Sequence, residues 1–396
     1  IDVAGFAAST LNLSDADFLA GRFKFNETAG AGGINNQGSI ATPAGGFVYL
    51  VASDINNSGI ITSPQGEVIL AAGKSVELVN PGSPDIRVVL TAPDNQVLNV
   101  GSIVAKSGRI GIYGGLISQQ GVVNANTAAV GENGEIILKA KDITLEPGSV
   151  TTASGEVGGV KDGGKVRIIA DGTLTLGEDS AVLARGGDNG GAGGFIELSG
   201  RKLVLGGKVD VGVQPGNALG SVLFDPLETY IWGGSAGAFV CDGITITCIA
   251  PSALNVGGNA TVAADANVFV KSPIANGDVY GGASLTLVGG NLVAVEADIG
   301  ATGARFNHDL NLVSDDDVNI VASIYQGANA LNISANVAPG VLTSNYGIIP
   351  VDLSAVPWSD PIPGHVVIGP MGNPSSVTVS TLGSINIAGS QITIQG

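Results

Sequence analysis

One unit recurs along the first half of this chain: a glycine, a short strand of alternating aliphatic residues, then a small or polar turn. Its copies are Gly46-Phe47-Val48-Tyr49-Leu50, Gly66-Glu67-Val68-Ile69-Leu70, Gly108-Arg109-Ile110-Gly111-Ile112, Gly134-Glu135-Ile136-Ile137-Leu138, Gly164-Lys165-Val166-Arg167-Ile168, Gly194-Phe195-Ile196-Glu197-Leu198 and Gly220-Ser221-Val222-Leu223-Phe224. The gaps between the leading glycines are 20, 42, 26, 30, 30 and 26 residues. The 42 reads as two units of 21, with Arg87-Val88-Val89-Leu90 as a degenerate copy between them. A second strand type follows several copies, as in Ile143-Thr144-Leu145, Leu174-Thr175-Leu176 and Leu203-Val204-Leu205. Further along come Leu285-Thr286-Leu287, Leu310-Asn311-Leu312 and Leu331-Asn332-Ile333. Apolar, polar, apolar order turns one face inward and one outward.

A period of 20 to 30 residues with two or three short strands is too short for a propeller blade. It also lacks the long Leu/Asn consensus of leucine-rich repeats. The remaining solution is all-β: a parallel β-helix in which each coil stacks its strands on those of the coil before. At this period the chain is long enough for about 18 coils. Glycines are expected at tight corners with positive φ. Longer units carry loops, such as 186–194 and 155–164, which are expected to project without disturbing neighbouring coils.

Composition agrees with a buried aliphatic core. Hydrophobic residues make up 44% and charged residues 13%, the reverse of a disordered chain. The 62 glycines follow no Gly-x-y period, which excludes collagen. The net charge of −17 gives no basic footprint for nucleic acid. No apolar run is long enough for a transmembrane span. The chain opens at Ile1-Asp2-Val3-Ala4-Gly5, already strand-like, which reads as a processed or truncated start.

Two regions are expected. Residues 1–226 hold the regular copies. Residues 227–396 continue the helix with looser repeats, a Cys-containing excursion over 233–250 and a Pro-rich loop over 350–374.

Three stretches of the first region resemble a known family. They are Ala7-Ala8-Ser9-Thr10-Leu11-Asn12-Leu13-Ser14-Asp15-Ala16-Asp17-Phe18-Leu19-Ala20-Gly21-Arg22-Phe23, then Asn36-Gln37-Gly38-Ser39-Ile40 leading into Gly46-Phe47-Val48, then Asn57-Ser58-Gly59-Ile60-Ile61-Thr62 leading into Gly66-Glu67-Val68-Ile69-Leu70-Ala71-Ala72-Gly73. They are similar to the secretion-domain region of filamentous haemagglutinin-type exoproteins of two-partner secretion. The similarity is close over roughly residues 1 to 80 and looser to about Pro226. The resemblance implies a right-handed parallel β-helix and export through an outer-membrane transporter partner. It also implies a place outside or on the surface of a Gram-negative bacterium, and work in adhesion, aggregation or biofilm. Within the first stretch, Ser14-x-x-Asp17 can cap one helical turn on the end or flank of the helix.

Catalysis is poorly supplied, and the chain is expected not to be an enzyme. The histidines, His308 and His365, sit in no motif and are expected to be structural or solvent-exposed. There is no nucleophile elbow or phosphate loop. Asp315, Asp316 and Asp317 form the best acidic cluster. They are weak candidates for calcium at hard oxygen ligands, against the plainer reading of a polar turn, and no cofactor is expected. The alternative function is a polysaccharide lyase or hydrolase on the same fold. Scarce aromatics argue against a sugar-stacking groove, since Trp232 and Trp358 are the only tryptophans. Trp232 and Tyr230 are expected to pack the coil after Pro226.

Cys241 and Cys248, the only cysteines, are expected to pair as a disulfide in an exported protein. The favoured function is a secreted structural or adhesive protein, an adhesin or fibre subunit, whose surface ligand the sequence does not name. Exposed strand edges invite pairing with another chain. Ile1, Val3, Phe6, Ile392 and Ile394 are therefore the candidate strands for head-to-tail association into filaments.

Overall fold

The computed structural model describes residues 3–79, 87–90, 95–127, 133–233, 246–335, 365–368, 379–380, 385–388 and 391–394. They fall into two compact units, Ile1–Gly200 with Val204–Gly220, and Arg201–Leu203 with Ser221–Gly396. Both are parallel β-helices.

In the first unit each coil has one long strand and two short ones. The long strands stack in the order Gly5–Ser9, Phe47–Ala52, Glu67–Ala72, Arg109–Tyr113, Glu135–Ala140, Lys165–Ala170 and Phe195–Gly200. Short strands such as Ile55–Asn57 and Ile60–Thr62 build the other two sheets. Pairing is parallel and in register, so Val48, Val68, Ile110, Ile136, Val166 and Ile196 form one inward column. Each is completely buried. A column of this kind fills the narrow core without large side chains, and each fully buried Val or Ile contributes about 1.5–3 kcal/mol.

The repeat glycine has a different cause from the one expected. Gly46, Gly66, Gly108, Gly134, Gly164 and Gly194 are not in the left-handed region. They lie against one another instead. A Cβ on Gly66 would sit 2.1 Å from the Gly46 carbonyl oxygen, and one on Gly164 would sit 2.1 Å from that of Gly134. Coils spaced by a strand's width leave no room there for a side chain. The left-handed corner falls one residue earlier in three coils, at Gly45, Gln65 and Ser107.

Arg87–Leu90 is not a degenerate coil. It pairs antiparallel with Ser75–Val79, which pairs antiparallel with Phe23–Asn26, which pairs with Asn12–Leu13. Glu67–Ala72 pairs directly with Arg109–Tyr113, so the gap of 42 is a single coil plus an excursion. Excursions use up chain. Among the described residues the first unit has seven long strands and the second six, fewer than the roughly 18 coils that the period allows.

The loops over 155–164 and 186–194 do not project independently. Gly187 N donates to Lys161 O at 2.8 Å, Gly163 N to Ala192 O at 2.9 Å, and Asn189 Nδ2 to Gly158 O at 2.7 Å. Asn217, one coil further, accepts from Gly191 N at 3.2 Å. Glycine-rich backbone stacks here as it does in the coils.

In the second unit the long strands are Ser221–Pro226, Asn259–Ala264, Ser284–Gly289, Asp309–Ser314, Leu331–Ala335 and Ile385–Ala388. A companion sheet runs Thr247–Ile249, Thr229–Ile231, Asn267–Val270, Leu292–Val295, Asp317–Ile320, His365–Ile368 and Gln391–Ile394. Two of these strands fall where irregular chain was expected. Thr247–Ile249 lies within the 233–250 excursion and pairs parallel with Thr229–Ile231. His365–Ile368 lies within the Pro-rich 350–374 stretch and pairs with Asp317–Ile320. The rest of the Pro-rich stretch, 350–364 and 369–374, is outside the described residues.

Candidate functional site

The long strands of the first unit turn a second set of side chains outward, and there the sequence departs from an ordinary solvent face. In register, Phe47, Glu67, Arg109 and Glu135 make one outer column, and Tyr49, Ile69, Gly111 and Ile137 the next. Val51, Ala71 and Tyr113 make a third. Apolar residues on an outer face need a cover, and the antiparallel sheet supplies it. Leu11, Val76 and Leu78 pack with Val51, Ile69, Ala71 and Tyr113 into a core outside the helix, flanked by Phe23, Phe25 and Val88. The helix Asp15–Leu19 sits beside this sheet. Ser14 caps it, accepting from Asp17 N at 3.1 Å and donating to Asp17 Oδ2 at 2.7 Å. That hydroxyl, followed by Arg22, holds the Asp17 carboxyl below the usual carboxylate range.

The cover stops short of the first column. Arg109 reaches both neighbours, Nη1 to Glu67 Oε1 at 3.3 Å and Nε to Glu135 Oε2 at 3.1 Å. Tyr49 donates its hydroxyl to Glu67 Oε2. Burial, then this bond, pushes the Tyr49 phenol well up, and Glu67 itself is buried. Burial pushes Tyr113 up to about 12, with Glu67 and Glu135 adding to the effect. Its ring lies over Gly111, where a Cβ would meet Tyr113 Cε2 at 2.6 Å. Tyr49 is therefore a fixed neutral donor to Glu67 across the neutral range.

Two cavities flank the Phe47–Tyr49 pair, whose ring centroids are 4.8 Å apart. One is a polar groove of about 480 Å³ lined by Gln65, Glu67, Ser107, Arg109, Asn133 and Glu135. The other is an apolar pocket of about 590 Å³ lined by Leu13, Phe18, Phe23, Phe25, Val51 and Leu78. Both aromatic rings line both cavities. Phe47 is 40% exposed and Phe18 62% exposed, high for such residues in a folded chain.

The site carries no recognised motif, although the sequence holds a signal for it. The residue after the repeat glycine alternates in charge through Glu67, Arg109, Glu135 and Lys165. On adjacent parallel strands such residues meet, so alternation down the copies marks an ion ladder.

The residues named from sequence lie elsewhere. Asp315 follows the strand Asp309–Ser314, and both of its carboxylate oxygens are buried without a hydrogen-bond partner among the described residues. Burial pushes its carboxyl up to about 6. Asp316 N donates to Ser314 Oγ at 3.2 Å, and Asp317 opens the strand Asp317–Ile320. Among the described residues no three acidic, His or Cys side chains gather in a metal-binding group. His308 is buried, its Nε2 2.9 Å from Asn276 O and its ring edge-on to Phe306 at 4.9 Å. Tyr230 stacks on Phe269 at 4.7 Å, and Trp232 N donates to Ile249 O at 2.9 Å.

Cys248 pairs opposite Tyr230 in register, and Cys241 lies outside the described residues. Ile1 also lies outside them. The first described strand begins at Gly5; Val3 precedes it, with Val3 N donating to Ala41 O at 3.2 Å, while Phe6 pairs with Val48. Ile392 and Ile394 lie in Gln391–Ile394, opposite Val366 and Ile368.

No protein family matches the sequence, and no curated protein matches it. Among solved structures, the crystal structure of the HMW1 secretion domain from Haemophilus influenzae is similar, with a TM-score of 0.43 and 19% identity. The match covers 100% of this chain and 75% of that one. Among the described residues no helix is long and apolar enough to cross a membrane.

Proposed function

We propose that this chain is an exported structural protein of the two-partner secretion type, working as an adhesin or fibre at a Gram-negative cell surface, and that it is not an enzyme. The carrying observation is the capped helix Asp15–Leu19 with the lateral sheet of Asn12–Leu13, Phe23–Asn26, Ser75–Val79 and Arg87–Leu90. The stretch with the most specific resemblance to exported haemagglutinins runs from the first coil strand, Gly5–Ser9, straight into the lateral sheet and capped helix on the flank of the first coils. A solenoid with an ordered flank suits a long-lived surface scaffold, because each coil is stabilised by its neighbours alone. Export through an outer-membrane partner and a Cys241–Cys248 disulfide belong to the same reading, since the compartments crossed are oxidising.

Co-expression with an outer-membrane two-partner transporter tests it. The chain is expected in the medium or open to added protease on intact cells, with an intact mass two hydrogens lighter than the reduced form. Retention in the periplasm with every such transporter tried would remove the reading. Adhesion is tested with chain-coated beads on epithelial and bacterial surfaces. Head-to-tail association is tested by electron microscopy of the purified chain, where monodisperse particles would remove it.

A further inference from the structure

We infer that the groove between Phe47 and Glu135 is a binding site for an uncharged oligosaccharide. The inference deepens the adhesin reading by naming a class of ligand, and it rests on that reading for its biological setting only. Three observations carry it. The groove, at about 480 Å³, is of the size that small-molecule sites have, and its two rings and its three charged side chains sit on paired strands, with the turns at Gln65 and Ser107 completing the lining.

Its polar groups are held in place before any ligand arrives. Arg109 is fixed from both sides by Glu67 and Glu135, and Glu67 is fixed again by Tyr49. A carboxylate has about four acceptor sites and a guanidinium five donors, so such a row can take up adjacent hydroxyls without reorganising.

The aromatic wall completes the match. Phe47 keeps 40% of its surface exposed although it sits against Tyr49 and lies over Gly5, where a Cβ would meet its ring at 2.4 Å. An exposed ring beside fixed acceptors and donors suits a pyranose, which has an apolar C–H face and a hydroxyl rim. Two carboxylates against one guanidinium leave the groove net negative, in a chain of net charge −17. That disfavours acidic sugars and polyanions. The platform's ring is Phe47, so the scarcity of tryptophans does not bear on it.

The test uses the full chain with cellotetraose, maltotetraose and the N-acetylglucosamine tetramer, with tetragalacturonate and tetralysine for contrast. Saturation-transfer NMR and calorimetry read the binding. At least one uncharged tetramer is expected to bind, and tetragalacturonate more weakly. Phe47→Ala and Glu135→Gln, each with an unchanged circular dichroism spectrum, are each expected to weaken it by roughly tenfold. Phe18→Ala, which lines only the apolar pocket, is expected to leave binding intact. The proposal is overturned if no uncharged tetramer binds, if tetragalacturonate or tetralysine binds instead, or if neither groove variant changes the affinity. Should Glu135→Gln disturb the spectrum, Phe47→Ala alone decides. An exported chain that binds no saccharide removes the groove proposal and leaves the surface reading intact; a chain that binds but is never exported does the reverse.

Discussion

Asn57 donates its side-chain amide to Asn99 Oδ1 at 2.7 Å, although 42 residues separate them in the chain. Asn36 donates to Asn57 at 2.7 Å in the same way, and Asn99 to Gln119 at 2.7 Å. The row ends where Gln119 Nε2 donates to Gly121 O at 3.0 Å. Asn57, Asn99 and Gln119 are almost fully buried, so each depends on its neighbour to replace water. A second ladder, Asn386 to Asn332 to Asn311 to Thr286, repeats the device in the second unit.

Asn57→Ala interrupts the first ladder and strands the Asn36 amide and the Asn99 oxygen. Each buried group left without a partner costs about 1–3 kcal/mol. Chemical denaturation is expected to show a loss in that range or above, with Asn36→Ala, at the exposed end, costing less. Equal costs would mean that the ladder is not a cooperative row.

Gly164→Ala forces a methyl group into the Gly134 carbonyl, which cannot move without displacing a coil. Overpacking of this kind costs about 1–3 kcal/mol. Gly38→Ala, where no atom lies within 4 Å of the added carbon, is expected to be neutral or slightly stabilising. Thermal melts of the two variants make the comparison, and a neutral Gly164→Ala would contradict the stacking.

Leu78→Ala opens the core between the lateral sheet and the outer face of the coils and leaves the inward columns of the coils intact. Truncating a buried Leu costs about 2–5 kcal/mol, and here the cost falls on a local element. Hydrogen exchange is expected to speed up at Phe23–Asn26 and Ser75–Val79, while Val68, Ile110 and Ile136 stay protected. Uniform loss of protection would show the lateral sheet and the coils unfolding as one.

Asp315 sets a pH dependence whose sign follows from its raised pKa. Its folded value is about 6 against 3.8 for the free side chain, so the folded state holds the extra proton between those limits. The stabilisation is complete below about pH 4 and is lost as pH rises towards 6. Asp315→Asn is therefore expected to stabilise the chain at pH 7.5 and to do little at pH 4. After allowance for partial solvent screening the gain is on the order of 1 kcal/mol. Melting curves at the two pH values check it, and equal shifts at both would refute the assignment.

Tyr113, pushed up to about 12, and Tyr49 above it are expected to titrate after ordinary phenols. Absorbance at alkaline pH should show a late phase that shrinks in Tyr113→Phe and Tyr49→Phe and merges with the main phase in denaturant.

The coils were legible because their causes are local. Glycine, alternation and small turns repeat along the chain, and any long strand of the series predicts the next. Glu67, Arg109 and Glu135 lie far apart in the chain, and only the alternation of charge after the repeat glycine, read across copies, marks them as neighbours. Asp315 read as part of a polar turn or a weak calcium site because its neighbours are acidic, yet its carboxylate oxygens are buried. His308 left both a structural and an exposed place open, and the ring lies inside against Phe306.

By itself the sequence determined the parallel β-helix, the place of the repeat glycines and the cap at Ser14. Each follows from a preference that a strand or turn carries with it. Only the tertiary structure decided where Arg87–Leu90 goes. An alternating strand pairs equally well with a coil or a hairpin. The choice fell to the apolar outer surface of Val51, Ile69, Ala71 and Tyr113, which exists only once three coils have stacked and which must then be covered. The same stacking put Arg109 between Glu67 and Glu135 and left Phe47 uncovered beside them.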